Sequence, residues 1–346
     1  MEKSPEISVV IPAYNCMHTL PQVIAKLLEQ SHAASGMEIV VIDDGSTDGT
    51  REWLRNLASK HQETEFKFLV QENQGPASAR NRGIETAQGK IILFLDADVI
   101  PSAELLSAHL NFHRQHLADN VALRGKTIDV QSADTKNQAW TRPSVASFKT
   151  KSPDKNRLPW VEFLSGNISL KRKFLIENNL RFNQKLYVGE DVEFCFRAQQ
   201  NGLILHFSEK AIGQHHHPIT LKSFLNKGKL AGKSYATWYA SFPGLKAELE
   251  KLGIEHYYGF IGSHRPWLWK LKQYAKRAIA NSITYPIFYW LANFKVFQSN
   301  RRLYWIVRQV YEINFRKTFK EEVKAIRFQI EKHEKLGQKT STENFR

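Results

Sequence analysis

Asp96 and Asp98 stand one small residue apart, directly after the apolar run Ile91–Leu95. Two carboxylates at the end of a buried strand cannot both stay charged and unpaired, because desolvation disfavours the ionised form. A hard cation, Mn²⁺ or Mg²⁺, would relieve the repulsion and could also bind phosphate oxygens of a substrate. The plainer alternative is a solvated turn, where Asp is common. Asp43-Asp44-Gly45-Ser46 is a second acidic turn after a second apolar run. Its carboxylates could accept the N–H and O–H donors of a nucleotide's base and ribose. Ser46 or Asp48 could instead cap the helix expected from Thr50. Gly189-Glu190-Asp191-Val192-Glu193-Phe194 is a third acidic cluster, followed by Arg197. A carboxylate there could serve as general base for an incoming hydroxyl, or simply sit in the first turn of a helix and favour its dipole. His215-His216-His217-Pro218 offers three imidazoles, which are frequent transition-metal ligands but equally at home in a surface loop. No cysteine spacing marks a zinc site.

These residues need elements to hold them. Strands are expected at Ser8–Pro12, Glu38–Ile42, Lys67–Val70 and Lys90–Leu95, from their β-branched and apolar content. Helices are expected between them: from Leu20 to Leu28 by the spacing of Leu20, Val23, Ile24, Leu27 and Leu28, then over about Thr50–His61, then over Pro76–Thr86. Strands that alternate with helices and are apolar throughout predict an α/β fold, with a parallel sheet covered on both faces. Ligands of such sheets bind beyond the carboxyl ends of the strands, so the loops after Ile11, Ile42 and Leu95 are expected on one rim. Residues 128–160 are polar, contain three prolines and predict a long loop.

The chain has 346 residues, of which 42% are hydrophobic, enough for a sizeable core in one large or two ordinary domains. Two cysteines, Cys16 and Cys195, cannot form a disulfide framework, and the start of the chain shows no secretory segment. A reducing, cytoplasmic setting with two buried thiols is the expectation. The net charge of +15 is unevenly placed: residues 220–346 hold 24 Lys and Arg against 9 Asp and Glu, leaving residues 1–219 neutral. A basic tail implies an anionic partner. Ala278–Phe294 carries no charge over 17 residues, yet a spanning helix needs ~20 predominantly apolar ones and this run is polar besides. Arg301–Glu334 has near-helical apolar spacing with Lys and Arg between, and Trp267, Trp269, Trp290 and Trp305 add aromatic anchors. The combination fits a region lying in a membrane interface, or a helical cap on the rest of the chain.

Taken in order, SVVIPAYN (Ser8–Asn15), VIDDGSTDGT (Val41–Thr50), NQGPASARNRGI (Asn73–Ile84), FLDADV (Phe94–Val99), SGNISLKR (Ser165–Arg172), GEDVEFCFR (Gly189–Arg197) and HHHP resemble the motif series of glycosyltransferase family 2. The likeness covers roughly residues 6–220, and the ordered series is far more specific than any one motif. It implies a GT-A fold, Rossmann-like and mostly parallel, over residues 1–220. The donor half would span about 1–127 and the acceptor half about 128–220, with 221–346 a helical, basic extension. It implies that Pro12, Asp43 and Asp44 line the nucleotide and that Arg80 contacts phosphate. Asp96 and Asp98 match the metal pair, with Asp98 the direct ligand. Asp191 matches the catalytic base, with Glu190 its neighbour. His215 matches an additional contact to metal or diphosphate, ahead of His216 and His217. One departure stands at Asn179-Leu180-Arg181-Phe182-Asn183, where the family often has Gly-Gly-Phe-Asp.

The implied reaction is inverting transfer of a sugar from a nucleoside diphosphate donor, UDP-linked by expectation, to a hydroxyl of a glycan or lipid-linked acceptor of the cell envelope. Mn²⁺ or Mg²⁺ is the expected cofactor, and an anionic membrane surface the expected partner of an enzyme peripheral on the cytoplasmic face. Two rivals use some of the same features. A nucleotidyltransferase would release pyrophosphate instead. A non-enzymatic protein binding anionic lipid or nucleic acid would explain the tail but not three acidic clusters, since acids repel phosphate; no nucleic-acid partner is expected.

Overall fold

The computed structural model describes residues 4–31, 36–61, 66–130, 157–216, 220–242, 244–251, 267, 270–271, 283–294 and 304–343. Most of the expected loop 128–160 lies outside the described residues, as do His217, Trp269 and residues 278–282. The described residues form two units: 4–130 with 157–184 and 190–216, and 185–189 with the residues from 220 on.

In the first unit, β1 (Ile7–Ala13), β2 (Met37–Asp43), β3 (Phe66–Val70) and β4 (Ile91–Leu95) lie parallel in the order β3-β2-β1-β4. Helices α1 (Leu20–Ser31), α2 (Thr50–Ala58) and α3 (Pro76–Thr86) make the crossovers. The apolar stripe of α1 is inside: Leu20, Val23, Ile24 and Leu27 are buried against β1 and β2 residues such as Ile11 and Ile39. The sheet continues through β7 (Asn167–Lys171), β6 (Val121–Asp129), β8 (Ile204–His215) and β5 (Val99–Pro101). The unit also holds α4 (Leu105–Gln115), α5 (Arg172–Glu177) and α6 (Glu190–Gln200).

The sheet is mixed where the sequence reads as parallel. β7 runs antiparallel to both β4 and β6, and β5 antiparallel to β8. An antiparallel neighbour needs no helical crossover, so no strand–helix alternation announces it. The reversal has a consequence for the rim. The carboxyl end of β4 faces the start of β7, with Leu95 opposite Asn167, so Ser165 and Gly166 come to the rim beside Asp96.

Beneath β7 lies a buried polar cluster. His109 and His113 on α4 reach Ser169 Oγ at 2.7 and 2.8 Å, and His109 also reaches Asn167 Oδ1 at 2.9 Å. Burial holds His109 down to about 4 and, with the neighbouring charges of His109 and Lys171, His113 down to about 3. Below about pH 6.5 the unfolded chain therefore takes up protons that the folded chain refuses, and stability falls with pH. By about pH 5 the loss should reach roughly 2 kcal/mol per ring. Thermal melts from about pH 7.5 to about pH 5 should show a falling midpoint, and His109→Gln should flatten that slope; a midpoint indifferent to pH would contradict the buried, neutral assignment.

The second unit is helical: α7 (Leu221–Ser241), α8 (Leu245–Lys251), α9 (Tyr285–Ala292) and α10 (Tyr304–Glu343). Thr220 and Ser223 form a reciprocal capping box at the start of α7. Phe224 and Leu225 of α7, Phe288 and Ala292 of α9, and Val307, Val310 and Ile313 of α10 pack into one apolar core. Among the described residues no helix is long and apolar enough to cross a membrane. Cys16 and Cys195 are both buried thiols, and burial pushes the Cys16 thiol up to about 12.

Candidate active site

Pro12 and Ala13 end β1 opposite Ile42 and Asp43 of β2, and Asp44 N donates to Ala13 O at 2.8 Å. Asp96 N donates to Gly166 O at 3.2 Å, and Val99 of β5 pairs with His215 at the end of β8. The sheet thus gathers the acidic motifs along one rim.

Asp43 and Asp44 are buried and shape the loops. Asp44 Oδ1 accepts from Gln71 Nε2 at 2.7 Å and Gln74 N at 2.9 Å, while Oδ2 accepts from Gly75 N at 2.8 Å. Asp43 accepts from Ser46 N at 3.0 Å and Arg51 Nε at 2.8 Å. The turn after β2 is tied in this way to the turn that launches α3 at Pro76. Neither Ser46 nor Asp48 is the N-cap of α2: that position is Gly49, without a side-chain cap, while Asp48 accepts from Thr50 N at 3.0 Å and Ser46 Oγ accepts from Asn15 N at 2.9 Å.

Arg80 is the centre of the rim. It lies on α3, which packs so closely on β1 that a Cβ on Gly83 would stand 2.2 Å from Val10 Cγ1. Its Nη2 donates to Asp96 Oδ1 at 2.8 Å and its Nη1 to Glu190 Oε1 at 2.9 Å. Arg80 is 4% exposed, and its guanidinium lies over the Phe182 ring, 5.6 Å from its centroid. Burial works against its charge, but Asp96 and then Glu190 outweigh burial and strengthen its hold on the proton. Asp96 is thereby neutralised by an arginine, so the repulsion inferred from Asp96 and Asp98 does not by itself require a metal. A Cβ at Gly166 would stand 2.6 Å from Asp96 Oδ2, so a larger residue there would push the Asp96 carboxylate out of place.

Glu190 and Asp191 open α6. Burial, then the charge of Asp191, raise Glu190 to about 7 against the pull of Arg80. Burial also raises Asp191, with Arg80 opposing. Asp191 Oδ1 accepts from Val192 N at 2.8 Å, and Oδ2 accepts a long bond from Ser165 N at 3.4 Å. Asp191 is only half-buried, which leaves it open to a reactant. A carboxylate of raised proton affinity on a residue that is not fully buried suits a general base.

His215 turns Nδ1 to Asp129 Oδ1 at 2.8 Å and Nε2 to Asp98 Oδ2 at 3.5 Å. Burial opposes its charge, yet Asp129 and Asp98 lift it to about 10. A carboxylate that fixes one imidazole nitrogen so the other can face a cation is a common arrangement at metal centres. Two donors about 2.1 Å from one ion stand roughly 3.0–3.4 Å apart for ordinary coordination angles. Asp98 and His215 fit a single cation with little movement, at the cost of the His215 proton. Among the described residues no three His, Cys, Asp or Glu side chains form a closed cage, so substrate oxygens and water would complete the shell. His216 N donates to Asp98 O at 2.8 Å, so His216 braces the backbone of that loop.

Several contributors lie outside the motif acids. Asn81 clamps the backbone of Phe182 through bonds of 2.8 and 2.7 Å. Phe182 stacks on Phe194 with centroids 4.4 Å apart and meets Phe94 edge-on at 5.3 Å. The departure at Asn179–Asn183 therefore keeps the one aromatic that carries Arg80. Asp129 has no sequence signal at all; its role follows only from its pairing with His215 across β6 and β8.

Comparison with known proteins agrees with this fold. The model of glycosyl transferase family 2 matches residues 8–180. Glycosyltransferase AglE of Haloferax volcanii is 29% identical over 218 residues, covering 61% of this chain and 67% of that one. The succinoglycan biosynthesis protein ExoU of Rhizobium meliloti is 31% identical over 216 residues, covering 57% of this chain but only 58% of that one. Among solved structures, the mannosyltransferase PcManGT from Pyrobaculum calidifontis, in complex with GDP-Man and Mn²⁺, superposes with a TM-score of 0.57 at 17% identity, over 90% of this chain and 88% of that one. S. aureus TarS 1-349 in complex with UDP-GlcNAc gives 0.50 at 17% identity, over 92% of each chain. Both have the GT-A fold, and this chain adds a helical C-terminal region to it. The family model alone spans half of the 346 residues, and on that footing the chain belongs to glycosyl transferase family 2 and is a glycosyltransferase.

Proposed function

We propose that this chain transfers a sugar, with inversion, from a UDP-linked donor to a hydroxyl of a glycan or lipid-linked acceptor. Asp191 removes the acceptor proton as the hydroxyl oxygen attacks the anomeric carbon. The bond from that carbon to the diphosphate breaks on the opposite face, and the nucleoside diphosphate departs. Arg80 holds Asp96 and Glu190 in place around this path. Pro12, Asp43 and Asp44 form the wall against which the nucleotide would lie. A Mn²⁺ or Mg²⁺ ion held by Asp98 and His215, with Asp96 beside it, would supply positive charge for the departing diphosphate. The observation that carries the reading is the half-buried carboxylate of Asp191 beside the Asp96–Arg80–Glu190 bridge.

The donor assignment draws support from the UDP-GlcNAc complex of TarS, and the polysaccharide acceptor from ExoU, a succinoglycan biosynthesis protein. PcManGT binds GDP-Man on the same fold, so a donor panel must include GDP-mannose. Family membership removes the nucleotidyltransferase and binding-protein rivals. The net +15 of residues 220–346 supports attachment of the enzyme to an anionic membrane surface, where lipid-linked acceptors reside.

The test is hydrolysis of a panel of UDP-, GDP- and dTDP-sugars with Mn²⁺, scored by nucleoside diphosphate released. One UDP-sugar should stand out, and Asp98→Asn should lower its turnover by at least ~10²-fold, because leaving-group charge stabilisation is a main catalytic term. Turnover indifferent both to EDTA and to Asp98→Asn would remove the cation from the mechanism.

A further inference from the structure

α9 is apolar on two opposite faces, and among the described residues only one of them packs into the core. Phe288 and Ala292, one turn apart, are 8% and 0% exposed and pack into the core of α7, α9 and α10. On the other face Ile287 is 60% exposed and Trp290 61% exposed. Ile283 before the helix, at 86%, and Phe294 after it, at 44%, extend the same row at spacings of four, three and four residues. That spacing places all four on one narrow stripe of a helix. Trp290 and Phe294 meet edge-on with centroids 4.8 Å apart, and Tyr289, 45% exposed, flanks them. Leaving so much contiguous apolar surface to water is costly and marks a contact surface.

The charge around the stripe indicates what covers it. In sequence it is bracketed by Lys276 and Arg277 on one side and Lys295, Arg301 and Arg302 on the other. On α10 of the same unit, Lys320, Lys324 and Arg327 are exposed together with Phe328, which is 67% exposed. A short apolar row carrying Trp within a strongly basic unit matches an anionic phospholipid surface, where indole prefers the headgroup level and Lys and Arg meet the phosphates. Eight helical residues are far too few to span a bilayer. We propose that Ile287 and Trp290 of α9, with Ile283 and Phe294 in the turns that flank it, insert in plane into the headgroup region of an anionic membrane, with α9 mounted on the helical unit through Phe288 and Ala292. This rests on the membrane attachment proposed above and names the element that performs it.

The experiment is flotation of the full-length protein with vesicles of phosphatidylcholine alone and of phosphatidylcholine with phosphatidylglycerol, for the parent and for Ile287→Glu/Trp290→Glu. Both residues are exposed, so melting temperature and donor hydrolysis should be unchanged. The parent should float with the anionic vesicles at low salt, and the variant should lose at least ~10-fold in partitioning. Tryptophan emission of the parent should shift to the blue on vesicle binding, and loss of Trp290 in the variant should remove most of that shift. A parent that stays off anionic vesicles overturns both the attachment and the stripe. A parent that floats while the variant floats equally well overturns the stripe alone and leaves the basic charge as the sole anchor. A variant that becomes monomeric from a dimeric parent, with flotation unchanged, assigns the stripe to a second copy of this chain and likewise overturns the proposal.

Discussion

Asp191→Asn should lower sugar transfer about 10³-fold and leave donor affinity nearly intact, because a general base acts on the acceptor rather than on the nucleotide. The geometry supports this separation. Asp191 accepts hydrogen bonds from the Ser165 and Val192 backbone, and its raised proton affinity comes first from burial, with the Arg80 charge opposing. Glu190, raised to about 7, titrates with it as a pair. The reaction needs Asp191 ionised, so kcat/KM should rise with pH along a limb displaced above the usual carboxylate range. Glu190→Gln removes the neighbouring negative charge and should move this limb to lower pH. Donor titration by calorimetry decides the assignment: loss of affinity matching the loss of rate would place Asp191 at the donor or in the fold.

Arg80→Met should have the largest effect on stability of any single change at the rim. Arg80 is the common partner of Asp96 and Glu190, and its removal leaves both carboxylates uncompensated beneath Phe182. Breaking a buried ion pair by deleting one member is strongly destabilising; here roughly 3 kcal/mol is expected, the low end, because water screens the partly open Asp96. Turnover should fall as well, since Asp96 and Glu190 lose their common anchor. Arg80→Lys should rescue little, because one ammonium cannot reproduce two guanidinium nitrogens aimed at two separate carboxylates. Denaturant melts of the three proteins check this. A stable Arg80→Met protein with ordinary turnover would show that the bridge is incidental.

The donor-side sheet was legible because it rests on local pattern. Apolar runs ended by acidic turns gave β1, β2 and β4, and Pro76 with the residues after it gave α3 over the same residues as observed, Pro76–Thr86. The acids at Asp43, Asp44, Asp96, Asp98, Glu190 and Asp191 stood out for their types and spacing. What joins them did not. Arg80 stood out only through the family resemblance, as a phosphate contact; its bridge to Asp96 and Glu190, 16 and 110 positions away, had no local signal. Asp129 acquires a role only through the pairing of β6 with β8. The antiparallel β7 was hidden because its partners are set by long-range register, which no local period encodes. The tail was legible as basic, aromatic helix, but the division of α9 into a packed face and a bare one needed the neighbouring helices.

The central claim is single-displacement transfer with Asp191 as base. It is tested most directly by proton NMR of the sugar first released when water replaces the acceptor and an α-linked UDP-sugar is the donor. Inversion predicts that the β-anomer appears first and equilibrates afterwards, and that Asp191→Asn abolishes its formation. First appearance of the α-anomer would contradict the account, because it requires a retained configuration that one in-line attack cannot give.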